Sequence, residues 1–86
     1  MKVEPERISD AVKRLRRAQG QIAGVVRMIE ESRDCAEVVT QLAAVSRALD
    51  KAGFAIIAVG LEECIEAGED GAPERQRLER LFLSLA

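Results

Sequence analysis

The chain has only two prolines, Pro5 and Pro73, and their placement constrains the fold more than any other feature. Proline inside a helix removes a hydrogen bond and clashes with the preceding turn, so everything between them is open to long, unbroken helix. Apolar residues recur there at three-to-four spacing, first as Ile8, Val12, Leu15, Ile22, Val25, Val26 and Ile29, then as Val38, Leu42, Val45, Leu49, Ile56 and Val59. Ser32, Arg33 and Asp34 interrupt the pattern. Asp34 with Glu37 three residues later matches a capping box, which predicts that a second helix begins at Cys35. The segment GEDGAP ends that helix through a C-cap glycine at Gly68, and Pro73 opens a third helix with Leu78, Leu81, Phe82 and Leu85 on its apolar face. The expectation is one domain with helices over about 5–31, 35–67 and 73–85.

The 86 residues include two aromatics, Phe54 and Phe82, so the core must be built from Leu, Ile, Val and Ala. That composition suits an all-α bundle, and a chain this short gains its missing buried surface by association with other copies. Gly20 and Gly24, at small-x-x-x-small spacing in the first helix, are expected to mark a close helix–helix approach, since each otherwise costs the helix about 1 kcal/mol.

Charge is unevenly placed although the net value is only −2. Residues 1–33 carry eight Lys/Arg against five Asp/Glu, whereas residues 34–86 carry five against ten. The densest basic cluster is Lys13, Arg14, Arg16 and Arg17. Alone, such a cluster is an ordinary solvated helix face; repeated in an oligomer, it becomes a broad surface for phosphates. The chain carries no helix-turn-helix or zinc-finger signature. No apolar run reaches the length of a membrane span and the N-terminal residues lack the apolar stretch of a signal peptide, so the expected location is the cytoplasm, with no membrane partner.

In that compartment two cysteines suggest metal binding or redox chemistry rather than a permanent disulfide. Cys35 and Cys64 are separated by 29 positions of one expected helix. They lie about 43 Å apart but, after about eight turns, on nearly the same side. Leu42, Leu49 and Ile56 follow Cys35 at steps of seven, the spacing of a long helix–helix seam. Two copies packed antiparallel about a two-fold axis near Leu49 and Asp50 would bring Cys35 of one to Cys64 of the other. Cys35 opens its helix, where free N–H groups and the helix dipole favour a thiolate. Gly60 sits one turn before Cys64, where a third ligand would stand, and the chain contains no histidine. A closed four-ligand zinc site is therefore excluded unless a carboxylate such as Glu63 takes part.

The stretches RLRRAQGQIAGVVRMIEESRDC and TQLAAVSRALDKAG, together with Cys35 and Cys64, resemble the copper-sensitive operon repressor (CsoR) family over about residues 9–66. The resemblance implies a three-helix protomer, a dimer with an antiparallel four-helix-bundle core, commonly a dimer of dimers, and operator DNA released by an inducer bound between protomers. In the family's copper sensors the inducer ligands are Cys, His and Cys; here Cys35 and Cys64 match the thiols and Gly60 replaces the histidine. That departure resembles the persulfide-sensing branch, the CsoR-like sulfurtransferase repressors (CstR). It implies a repressor without cofactor, responsive to persulfides or polysulfides through Cys35 and Cys64, with Cu(I) held by the same two thiolates as the alternative. The formaldehyde and nickel or cobalt branches use histidines or an N-terminal proline that this chain lacks. Arg14, Arg17 and Gln21 fall where the family contacts DNA; Arg47 is the nearest match to a further arginine, which many relatives carry one position earlier. A helical assembly module with inert cysteines is the reading from another class, and an enzyme is not expected.

Overall fold

The computed structural model describes residues 2–86. A 3₁₀ turn, Pro5–Ile8, leads into α1 (Ser9–Glu30); α2 (Cys35–Glu66) follows, then a second 3₁₀ turn, Gly68–Gly71, and α3 (Ala72–Leu85). The protein is all-α, with no strand among the described residues. The 32 residues of α2 run about 48 Å, which accounts for most of the 55 Å long axis. The first 3₁₀ turn and α1 together lie antiparallel along the whole of α2, from Arg7 beside Glu63 at one end to Met28 beside Ala36 at the other. α3 folds back over the C-terminal half only, placing Phe82 against Phe54 with ring centroids 5.2 Å apart. The half of α2 that starts at Cys35 is therefore covered by α1 alone.

Local chemistry explains the boundaries. α1 ends in a pair of backbone bonds, Arg33 N–H to Met28 O at 2.9 Å and Ser32 N–H to Ile29 O at 3.0 Å. They require a left-handed residue, which is Ser32 at φ 56°. α2 starts at Cys35 behind Asp34, as the sequence pattern predicts, but the capping box does not form: the Asp34 side chain makes no cap hydrogen bond. Glu37 is instead held by Arg33, Nη2 to Oε2 at 3.0 Å. Gly68 closes α2 at φ +65° in the expected role. The first expected helical turn, Pro5–Ile8, is 3₁₀ rather than α.

The core is built from small residues. Ala11, Ala18 and Val25 on α1, at steps of seven, are buried with Val45 and Ala52 on α2. Short side chains let the two helices approach closely, and the bulkier positions of the same apolar pattern are left on the flank. Leu15, Ile22, Val26 and Ile29 of α1, with Leu42 and Leu49 of α2, are all exposed in the single chain. Within the single chain Gly20 and Gly24 mark no close approach: a Cβ at Gly20 would meet nothing within 4 Å, and one at Gly24 only the tip of Arg27.

The tight glycine is Gly71. Its φ of −86° suits any residue, but a Cβ there would run into the carbonyl group and Cα of Cys64. Backbone cannot swing aside as a side-chain tip can. Gly71→Ala is expected to cost about 2 kcal/mol or more by overpacking, and calorimetry should show the thermal midpoint falling by roughly 10 °C.

Candidate functional site

Two separate constellations emerge, one cationic and one built around thiols. On α1, Arg14, Arg17 and Gln21 project at helical spacing toward α2, where Arg47 and Lys51 stand one turn apart. Ala44 and Ala48 form a low floor between them, leaving an open groove of about 270 Å³. Three of the expected DNA-contact residues from α1 thus converge with Arg47, whereas Lys13 and Arg16 do not. Arg16 lines a different, apolar groove with Leu15, Ile22 and Leu49, and Lys13 lies exposed outside both. Helical rotation of about 100° per residue splits a cluster that is contiguous in sequence. Lys51 was not among the expected contacts. Its signal was present: it follows Arg47 by four and Ala44 by seven, which places it on their face.

Asp10 tempers this surface. Its carboxylate accepts a hydrogen bond from Arg14 Nε at 2.8 Å. That bond and the Arg14 charge lower its pKa, helped by Lys13 and Arg17. Because the folded pKa is depressed, the pairing is present above the unfolded carboxylate value and is lost as pH falls through the folded one. Among the described residues, Arg17, Arg47 and Lys51 make no ion pair and are open to an anion.

The thiols sit at opposite ends of α2, with Cys35 exposed and Cys64 only 2% exposed. Their expected common helical side therefore does not mean equal access. Cys35 is open to solvent, while the backbone of Cys64 packs closely against Gly71 of the Gly68–Gly71 turn and its neighbour Glu63 is held by Arg7 of the Pro5–Ile8 turn. Gly60, one turn before Cys64, is also buried. Among the described residues no group of three or more His, Cys, Asp or Glu could hold a metal ion. Two thiolates suit Cu(I), a soft ion, but this chain cannot bring them together by itself.

Glu63, the carboxylate next to Cys64 in sequence and the one expected to substitute for a missing ligand, is already engaged. Arg7 reaches across from the first 3₁₀ turn and donates through Nη1 to Glu63 Oε1 at 3.0 Å and through Nη2 to Glu62 Oε2 at 3.3 Å. Glu66 Oε1 lies 3.7 Å from the same Nη2. Among the described residues no helix is long and apolar enough to cross a membrane.

Comparison with known proteins is consistent with this arrangement. The family described as metal-sensitive transcriptional repressor matches residues 7–84. The copper-sensing transcriptional repressor RicR of Mycobacterium tuberculosis is 42% identical over 62 residues, which cover 71% of this chain and 65% of that protein. YrkD of Bacillus subtilis is 49% identical over 47 residues, covering 50% of this chain and 75% of that protein. The copper-sensing transcriptional repressor CsoR of Mycobacterium ulcerans is 37% identical over 57 residues, covering 66% of this chain and 49% of that protein. The chain thus spans less than two thirds of the length of either copper-sensing relative. No solved structure matches.

Proposed function

The chain belongs to the metal-sensitive transcriptional repressor family, and from that premise we propose that it binds operator DNA through the groove between α1 and α2. In this reading a thiophilic inducer releases the DNA by joining Cys35 of one copy to Cys64 of another. Repressors of this kind are not enzymes, and nothing in the reading requires turnover. The observation that carries it is the placement of the two thiols near opposite ends of one unbroken helix, so that only a second copy can unite them. The uncovered apolar flank of Leu15, Ile22, Val26, Leu42 and Leu49 supports such pairing, because burying those side chains is worth about 1.5–3 kcal/mol each. Antiparallel association of two α2 helices would make two thiol pairs per dimer; a dimer of dimers would double the cationic surface again.

Cu(I) is the inducer this reading places first, supported by the copper sensors among the relatives. Bound copper would supply a bridge between two thiolates, held by Cys35 and Cys64. Because Cys64 is buried in the single chain, engagement requires its covering turns to shift. That coupling gives the inducer a conformation to select.

A second reading, persulfide sensing, is favoured by Gly60 and the absence of histidine. A Cys35 thiolate attacking an organic polysulfide retains sulfur and displaces a thiolate or persulfide anion. Attack by Cys64 of the second copy then displaces the remaining organic thiolate and leaves a di- or trisulfide between the chains. One experiment separates the two readings. Fully reduced protein on labelled operator DNA is treated with stoichiometric Cu(I) or with an organic polysulfide, and intact mass is read without reductant. DNA release by copper alone is the expected result. Release only by polysulfide, with a covalently cross-linked dimer whose mass is that of the disulfide or of the disulfide plus one sulfur, selects the second reading; release by neither overturns both.

A further inference from the structure

We propose that Arg7 is a positioning residue that sets the ligand class of the Cys64 end, by holding Glu63 in an ion pair and so keeping a carboxylate out of the inducer site. The inference rests on the reading of Cys35 and Cys64 as the inducer thiols. Glu63 is adjacent to Cys64 in sequence, and its side chain is 16% exposed, far less than those of Glu62 and Glu66. Its Oε1 accepts from Arg7 Nη1 at 3.0 Å while Nη2 of the same guanidinium reaches Glu62 and Glu66. Three carboxylates along a little over one turn of α2 thus fix one planar cation in place. Removing any one of them leaves the other two holding Arg7.

The chemical consequence lies in donor number. Zn²⁺ takes three protein ligands and a water, or four protein ligands, and accepts carboxylate oxygen beside thiolate sulfur. Cu(I) is served by two thiolates. With no histidine in the chain, further donors for a divalent ion must be carboxylates, and two adjoin the cysteines. Asp34, beside Cys35, is exposed and makes no cap hydrogen bond; it is the same in every variant considered below. Glu63, beside Cys64, is the one the fold withholds. The thiol pair is thereby kept poor in hard donors, and a divalent ion is disfavoured relative to a soft monovalent one.

The test uses the full chain, reduced, with Zn²⁺ and Cu(I) affinities measured by competition against chromophoric chelators. Arg7 is itself exposed but the side chain of its partner Glu63 is only 16% exposed, so circular dichroism and a thermal melt are recorded for each variant to establish that the helices survive loss of the pair. Arg7→Gln is expected to raise Zn²⁺ affinity by about tenfold or more while Cu(I) affinity changes by less than about threefold. The gain should vanish in Arg7→Gln/Glu63→Gln, persist in Arg7→Gln/Glu62→Gln, and not occur in Arg7→Lys, which keeps the charge. The Glu62 variant separates a freed ligand from a general rise in negative potential. Unchanged Zn²⁺ affinity in Arg7→Gln, or a gain that survives loss of Glu63, overturns the role of Arg7. In that case Cys64→Ser still lowers Cu(I) affinity if the thiol pair is the inducer site. Should Cys64→Ser leave Cu(I) affinity unchanged, the thiol-pair reading falls and the role of Arg7 falls with it.

Discussion

Cys35→Ser is expected to leave operator binding within about twofold of the unaltered protein and to raise the inducer concentration needed for half-release by at least about 100-fold. Cys35 is exposed at the bare end of α2, so its loss removes a ligand or nucleophile without opening a cavity. A hydroxyl is a poor ligand for a soft ion and does not exchange with a polysulfide. Cys64→Ser is expected to have the same effect on release and also to lower stability by about 1–2 kcal/mol, because at a position 2% exposed it exchanges a soft, apolar sulfur for a smaller, more strongly hydrated hydroxyl. A mixture of the two single variants tests the pairing directly. A heterodimer built from one of each has one intact Cys35–Cys64 pair and one empty pair, so part of the response should return. Full induction in either variant alone would remove the cysteines from the mechanism.

Arg14→Ala and Lys51→Ala are each expected to weaken operator binding by about tenfold at moderate salt, and each to flatten the dependence of log affinity on log salt by about one unit for every phosphate no longer neutralised. Lys13→Ala, taken from the same sequence cluster but lying outside the groove, changes affinity less than about threefold. Binding titrations at several salt concentrations give both quantities. Equal losses for Lys13 and Arg14 would mean that the surface acts through net charge rather than through the groove. The Asp10 pairing adds a pH signature. Below the lowered Asp10 pKa the carboxylate no longer holds Arg14, so the difference between unaltered protein and Asp10→Asn should disappear in acid.

Much of the architecture was legible from local signals. The interruption at Ser32–Asp34 and the left-handed Gly68 mark real helix ends because backbone conformation at such points depends on the residue itself. The expected start of α2 at Cys35 was met even though its capping box was not. Asp34 occupies the right place, but Glu37 found a stronger partner in Arg33, one turn away on the same surface. The groove was half legible: Arg14, Arg17 and Gln21 share a helical face that spacing alone identifies. Their alignment with Arg47 and Lys51 depends on how α1 lies along α2. Within the protomer the close approach of α1 to α2 is made through Ala11 and Ala18 rather than Gly20 and Gly24, since a small residue shows only that an approach is permitted.

The sequence by itself determined the all-α class, the long second helix and the separation of two thiols by a whole number of turns. Each follows from proline placement and from the 3.6-residue period, which act within a single segment. Tertiary structure decided which apolar stripe is core and which is left on the flank, because close packing selects the smallest side chains and periodicity does not rank them by size. It also decided that Cys35 is open and Cys64 covered, since α3 and its preceding turn return over only one end of α2. Finally, it brought Arg7 to Glu63 across most of the length of the chain, a pairing of distant charges that no local pattern encodes.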